Sequence, residues 1–267
     1  MYWQKRFDRE NPDAELEERI LNIRKENKDY GYRRIHKELV GQGLKVNKKK
    51  IHRIVKSLEL QVRSFTRKSR RFSTYKGVVG KIAPNRINRR FHTSVVHQKI
   101  TTDTSEFKYY ERDPHGNVAV KKLYLDPFMD LYNLEIISYS ISTRPSGESI
   151  INGLKEAIEK TNDCKYRRTF HSDRGWAYQM NDYIAILKEN RIFQSMSRKG
   201  NCFDNSPMEN FFGILKQEMY YGVIYTSFEE LKSAIERYIR YYNERRIKEK
   251  LGWKSPVDYR LQNSVAA

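Results

Sequence analysis

From about residue 95 the sequence changes its period, and the order of patterns that follows leaves few folds open. Three segments rich in β-branched and aromatic residues, "VVHQKITTDTSEFKYY", "VKKLYLDPFMDLY" and "LEIISYSIS", succeed one another, with Gly116-Asn117 supplying turn chemistry between the first two. Helical and strand patterns then alternate. "SGESIINGLKEAIEK" is amphipathic through Ile150, Ile151, Leu154 and Ile158, "RTFHSD" reads as a short strand, "YQMNDYIAILKEN" as a helix, "IFQSMS" as a strand, and "SPMENFFGILKQE" as a further helix. Three consecutive strands followed by α, β, α, β, α predict an α/β (α+β) fold in which helices cover a mixed β-sheet. This core is expected over residues 95–222. Residues 223–267 add the helix "SFEELKSAIERYIRYYNERRI", with Leu231, Ile235, Tyr238 and Ile239 in register, and a tail that packs back through Leu251 and Trp253.

Charge divides the 267-residue chain differently. Residues 1–59 hold 16 Lys/Arg against 10 Asp/Glu, residues 60–102 hold 11 against none, and residues 103–267 hold 25 against 23, so the net charge of +19 is concentrated before the core. A basic part joined to a nearly neutral part implies one region that grips a polyanion and another that acts on it. Residues 1–60 read as three short helices. The first follows Asn11-Pro12, the second is "YRRIHKELV", and the third is capped by Asn47 with Ile51, Ile54, Val55 and Leu58 on one face. Lys48, Lys49, Lys50 and Arg53 lie mostly elsewhere on that last helix. Such a unit fits either an ordinary bundle with a solvated basic face or a helix-turn-helix. The acid-free stretch over residues 61–94 favours DNA: it has no clear period, and Arg67, Lys68, Arg70 and Arg71 lead its candidate phosphate contacts. It is expected to be an extended linker that orders on phosphates.

Composition also excludes. No run of apolar residues approaches a membrane span and the amino terminus has no signal-peptide core, so a soluble, cytoplasmic protein without a membrane partner is expected. The two cysteines, Cys164 and Cys202, form no CxxC pair, and the six histidines have no zinc-ligand spacing. No GxxxxGK[ST] loop is present for a nucleotide.

Three acids fall where the pattern can bring them together: Asp103 in the first strand, Asp173 at the end of "TFHSD", and Glu209 in the first turn of a late helix. Each has a plainer reading. Asp103 fits an exposed strand position, Asp173 a turn before Arg174-Gly175, and Glu209 a capping box in which Ser206 is the cap and Pro207 takes the first helical position. Together they are the oxygen ligands that hard divalent cations require, and two such cations stabilise the attacking and leaving oxygens of an in-line displacement at phosphorus. Asp126 and Asp130 read as structural, Asp204 as a loop or cap residue, and Glu218 as a bystander.

"TTDTSEFKYY", "FHSDRGWAY" and "SMSRKGNCFDNSPMENFFGILKQEMYY" resemble the three catalytic blocks of the DDE transposases of bacterial insertion sequences, whose cores are similar to retroviral integrase. "YGYRRIHKELV" and "YYNERRIKEKLGWKSPVDYR" extend the resemblance, closest to the second-frame product of two-frame elements, over nearly the whole chain. It implies a ribonuclease H-like core, two Mg²⁺ or Mn²⁺ ions on catalytic Asp103, Asp173 and Glu209, and a basic contact to DNA at Lys216. Lys216 lies seven residues after Glu209, close to two helical turns, so the two share a face. Asn205, Arg198 and Lys199, in the loop before that helix, are further candidate DNA contacts. The implied reaction cleaves a strand at the element end and joins the liberated 3′-OH to a second phosphodiester. Its implied partners are double-stranded DNA, as element ends and target, and further copies of the chain on that DNA. A fusion with the upstream-frame product, which in such elements carries an end-recognising segment absent from this chain, is a further expectation. A catalytically silent DNA-binding regulator and a simple nuclease are the competing readings. The zinc module of retroviral integrases has no counterpart here, so the first three helices must be organised without metal.

Replacing Arg67, Lys68, Arg70 and Arg71 together by neutral residues should weaken binding to duplexes of any sequence and flatten its salt dependence, by up to about four in the logarithmic slope. A titration of affinity against salt concentration tests this, and an unchanged slope would return the run to a solvated linker.

Overall fold

The structure, a computed structural model, describes residues 11–62, 80–112 and 114–264. Arg67, Lys68, Arg70 and Arg71 lie outside the described residues. The chain divides into two compact units, residues 1–66 and 67–267.

The first unit contains α1 (Ala14–Glu26), α2 (Tyr32–Gly41) and α3 (Lys48–Ser57). Ile20, Ile23, Tyr30, Ile35, Leu39, Ile51, Ile54 and Val55 fill its core. Gly43 adopts φ +87° just after α2, a left-handed conformation that a side chain disfavours, and the turn closes with Leu44 N–H donating to the Leu39 carbonyl. Asn47 caps α3 as expected, its Oδ1 accepting from Lys49 N–H at 2.8 Å. The first helix departs from expectation by starting three residues after Asn11. Asn11 Oδ1 accepts from Asp13 N–H and so forms a turn of its own before the helix begins.

The second unit is a sheet with helices on both faces. Its strands are β1 (Lys99–Thr102), β2 (Ser105–Arg112), β3 (Val118–Asp130), β4 (Ile136–Ser142), β5 (Thr169–Ser172) and β6 (Phe193–Met196). β3 pairs antiparallel with β1, β2 and β4, while β5 is parallel to both β1 and β6. The expected single first strand is broken into β1 and β2 at Asp103-Thr104. The register, Thr102 with Phe128 and Ser105 with Leu125, sets this break opposite Asp126-Pro127. Proline has no amide hydrogen for a ladder, and it is tolerated where pairing is already interrupted.

α4 (Gly147–Lys160) and α5 (Asn181–Glu189) cover one face, where Ile100, Phe128, Leu154, Phe170 and Leu187 form a core. α6 (Ser206–Leu215) and α7 (Phe228–Glu244) cover the other, packing Met208, Phe211, Leu215, Leu231 and Ile235 against Phe107, Leu123 and Leu125. Burying each such side chain contributes roughly 1.5–3 kcal/mol. A π-helical turn, Lys216–Tyr220, follows α6, and α8 (Pro256–Ser264) ends the described chain. α7 is capped by Ser227, whose Oγ accepts from Glu230 N–H at 3.1 Å. Leu251 in the tail is buried as expected. Residues 80–94 contain no helix or strand, yet they are held to the core: Ile87 is buried and Asn85 reaches Asp204.

Glu218 also has a larger structural part than its sequence context indicates. Arg246 grips it through Nε at 2.8 Å and Nη2 at 2.6 Å, Tyr238 donates to it at 2.9 Å, and both charged side chains are buried. Arg246→Ala should therefore destabilise the protein by about 3–5 kcal/mol in urea unfolding, because an unpaired buried carboxylate is left behind. The double replacement Glu218→Gln with Arg246→Met should lose less.

Candidate active site

Parallel pairing sets the geometry of the acids. β1 and β5 pair Ile100 with Phe170 and Thr101 with His171, and the same register carried two residues further brings Asp103 level with Asp173. Adjacent strands lie about 4.8 Å apart, so the two carboxylates leave the carboxyl ends of neighbouring strands side by side. One oxygen of each is fixed by nearby backbone. Asp103 Oδ1 accepts from Thr104 N–H and Asp173 Oδ1 from Gly175 N–H, both at 2.8 Å. A Cβ at position 175 would stand 2.9 Å from that same Asp173 oxygen, so a side chain there would displace the oxygen from its bond to the Gly175 amide. Among the described residues no Lys, Arg or His forms an ion pair with Asp103 or Asp173. Scarce solvent and then the Asp173 charge hold the Asp103 carboxyl well above the usual carboxylate range, with Glu209 and Asp126 adding to the effect. The Asp173 carboxyl is likewise raised by burial.

Glu209 comes from the first turn of α6. The apolar face of that helix, Met208, Phe211, Phe212 and Leu215, is buried, which leaves Glu209 on the exposed side. The capping box expected at Ser206 does not form. Ser206 is already helical at φ −56° and ψ −29°, because the 3₁₀ turn Cys202–Asn205 runs directly into the helix. Asn205 precedes the helix, but its side chain is spent elsewhere: Oδ1 accepts from Thr101 Oγ at 2.6 Å and Nδ2 donates to the Thr102 carbonyl at 3.0 Å. This corrects its expected role as a DNA contact. Buried and bonded at both ends, Asn205 is a strut that ties the start of α6 to the strand leading into Asp103.

Comparison with known proteins bears on this arrangement. Two models of the integrase core domain match residues 94–202 and 209–263, and an HTH-like domain model matches residues 10–69. The chain is 42% identical to the Escherichia coli K12 protein named as transposase InsK for insertion sequence element IS150, over 93% of this chain and 84% of that one. It belongs to the insertion-sequence transposases. It is also 30% identical to the E. coli K12 transposase InsF for insertion sequence IS3A, over 88% of this chain and 77% of that one. Among solved structures, the HTLV-2 integrase catalytic core domain in complex with magnesium matches 61% of this chain and 95% of that one at 15% identity and a TM-score of 0.46. The core is an integrase core domain by its family match, and the activity class of the chain is polynucleotidyl transfer in DNA transposition.

In this transposase the loop before α6 is built around Asp204, the expected loop residue, which has a larger part than its local context indicates. Its carboxylate is fully buried. It accepts from Arg198 Nε and Nη2 at 2.8 Å each, from Arg198 N–H at 3.0 Å, from Arg89 Nε at 2.9 Å and from Asn85 at 3.1 Å. Its carbonyl meets His171 Nε2 at 2.8 Å. The Arg198 bonds above all hold the Asp204 carboxyl far below the usual range, so it stays ionised. Arg198 is therefore anchored at one edge of its guanidinium, though its side chain is still 56% exposed. Lys199 is exposed at the loop tip beside Gly200. Lys216 lies where α6 gives way to the π-helical turn, its ammonium 4.8 Å from the Phe107 ring centre. In the first unit Lys50 and Arg53 both pair with Asp13, at 2.6 and 2.8 Å, while Lys48 and Lys49 are exposed.

Two further residues neighbour the acids: Asp126, read from the sequence as structural, and Tyr178, which the sequence reading does not single out. Asp126 is buried, accepts from Thr104 Oγ at 2.6 Å, and has its carboxyl pushed up to about 6 by burial. Its signal was an acid inside the apolar run "LYLDPFMD". Tyr178 is also buried, with its hydroxyl 3.4 Å from Thr104 Oγ. Burial and then the charges of Asp103, Asp126 and Asp173 raise that phenol well above its ordinary range, so it remains an O–H group.

Asp126 has a raised native pKa against an ordinary 3.8, so the native state binds the extra proton between those limits. Its favourable contribution is full below about pH 4 and is lost as pH rises through about 6. Asp126→Asn, which still accepts from Thr104, should raise stability at pH 7.5 by about 1–3 kcal/mol. Thermal or urea unfolding across pH should show the gain vanish towards pH 4, and a gain independent of pH would disprove the cause.

Proposed function

We propose that Asp103, Asp173 and Glu209 together hold divalent cations, Mg²⁺ or Mn²⁺ and two per site, and that this site cleaves DNA at an element end and joins the freed 3′-OH to target DNA. One observation carries the reading: in a chain with net charge +19, Asp103 and Asp173 stand side by side with no protein cation paired to either among the described residues. Like charges so placed repel, and a cation from outside relieves the repulsion. The donor set is suitable, being carboxylate oxygens only, which hard cations prefer. Among the described residues the side chains are not yet closed into a three-ligand cluster. Glu209, on the exposed side of α6 and close enough for its charge to act on Asp103, would supply the third carboxylate.

When bound, such cations supply Lewis-acid stabilisation of the charge that develops on the attacking and leaving oxygens at phosphorus. The protein does the rest. Thr104 and Gly175 amides fix one oxygen of each aspartate and leave the other for a ligand. Asn205 holds α6, and with it Glu209, against β1. Lys216, Arg198 and Lys199 present positive charge to the phosphates of the DNA end, and Lys48, Lys49, Lys50 and Arg53 do so from the helix-turn-helix-like unit. Two ends must be processed together, so the working form is a dimer or larger assembly on DNA. Fusion to an upstream-frame product would add end recognition.

With a labelled end substrate and Mg²⁺, the wild-type protein should yield joined products. Glu209→Gln and Asp173→Asn should each reduce joining by roughly 10²-fold or more, since several kcal/mol of charge stabilisation is lost. Chelation should abolish joining and added Mg²⁺ restore it. Cleavage without joining would identify a nuclease, binding without either a regulator, and undiminished joining by folded Glu209→Gln would remove Glu209 from the site.

A further inference from the structure

Residues 85–89 cross the face of β6 that carries Phe193 and Ser195, and they lay down a row of guanidiniums whose use the acid site does not explain. Asn85 is held by Asp204, and Arg86 N–H donates to Ser195 Oγ at 2.9 Å, so this segment is fixed at two points. From it Arg86 extends over the Phe193 ring, with its guanidinium carbon 4.3 Å from the ring centre. Arg167, just before β5, lies over the same ring at 3.5 Å, with its Nε donating to the Arg191 carbonyl. Three residues beyond Arg86, Arg89 binds Asp204 and lies 5.8 Å from the exposed Phe203 ring. Arg198 completes the row, donating to the same Asp204 oxygen, Oδ1, as Arg89 does.

The charges do not balance. Arg89 and Arg198 share one carboxylate, while Arg86 and Arg167 have none within ion-pairing reach among the described residues. Two like charges are thus held over one ring. Each gains only about 0.5–1 kcal/mol from an exposed aromatic face, and both remain exposed to solvent. Each guanidinium is packed on the ring, so less side-chain freedom is left to lose when an anion binds. Phe193 is the first residue of β6 and Asp204 lies in the loop beyond its last, so the row runs from the start of β6 towards that loop. It ends at the loop that leads into Glu209.

We propose that Arg86 and Arg167, stacked on Phe193, are a backbone-phosphate site for DNA, continued by Arg89 and Arg198 towards the acids. The site rests on this chain's action on DNA and not on the metal assignment. Neither arginine touches the acids, so the site contributes to binding and to the path of the strand, with no part in the chemical step.

The test uses the full chain in EDTA with a fluorescently labelled mixed-sequence duplex, and affinity is read against salt. Arg86→Gln with Arg167→Gln keeps the aliphatic stems over Phe193 while removing both charges. The logarithmic salt slope should flatten by one to two, as the loss of up to two phosphate contacts requires. Lys155→Gln with Arg240→Gln removes the same charge from exposed positions on α4 and α7, the helices packed against β4 at the opposite edge of the sheet, and should leave the slope nearly unchanged. A slope unaltered in the first variant, or altered equally in both, overturns the proposal and reduces the arginines to cover for Phe193. If the double variant fails to fold by thermal unfolding, Arg167→Gln alone should still flatten the slope, by up to one. Because DNA binding is measured without metal, failure here leaves the acid site unaffected, and loss of joining in Glu209→Gln leaves this site unaffected.

Discussion

The repulsion between two carboxylates at the ends of parallel strands is the constraint around which the core is arranged. Parallel pairing of β1 with β5 leaves no freedom in the matter, because the register that aligns Thr101 with His171 also aligns Asp103 with Asp173. At 5 Å and an effective dielectric constant of 20, two unit charges repel by about 3 kcal/mol. The protein could relieve this with a lysine or arginine, of which it has 52. It raises the carboxyl pKa values instead and leaves one oxygen of each aspartate outside its own hydrogen bonds. A sheet end so arranged is relieved by a bound proton or by a ligand of opposite charge.

Holding such a site open requires its surroundings to be stiff without being cationic. Behind the acids the packing is apolar on both faces of the sheet, but the start of α6 is secured by polar bonds. Asn205 is fastened to Thr101 and Thr102, His171 bridges Ser195 and the Asp204 carbonyl, and Thr104 joins Asp126 to the hydroxyl of Tyr178. These groups are neutral or, in Asp126, an acid with a raised pKa, so none offers a cation to Asp103 or Asp173. They also explain why α6 begins where it does. The 3₁₀ turn that places Asn205 between the strands makes Ser206 helical, and the capping box gives way to a tertiary strut.

Much of this was legible in the residues. The period change near residue 95, the strand order and the helix at Glu209 follow from local spacing, and "HSDRG" and "NCFDNSPMENFF" carry the family resemblance. What local spacing could not carry was pairing across long separations. The break of the first strand at Asp103 falls opposite Pro127, in a strand more than twenty residues later. Asp126 looked structural because its neighbours are apolar, and only the register puts it across from the break. Asn205 looked like a loop residue free to meet DNA, since nothing in its own segment announces Thr101. Residues 80–94, acid-free and aperiodic, gave no sign that Ile87 would be buried against the core.

Asp204 shows how a basic protein keeps an acid pair unpaired. Arg198 stands six residues before Asp204 and Arg89 lies on a strap across β6, and each has a long flexible side chain near the acids' end of the sheet. Left to themselves, guanidiniums seek the nearest carboxylate, and Asp103 or Asp173 would serve. Asp204 takes them first, with four bonds of 2.8–3.0 Å from the two arginines, and its burial makes those bonds stronger than any made in water. The arginines keep exposed surface while being held away from Asp103 and Asp173. One buried aspartate thereby keeps the positive charge of the loop apart from the acid pair, which that charge would otherwise neutralise.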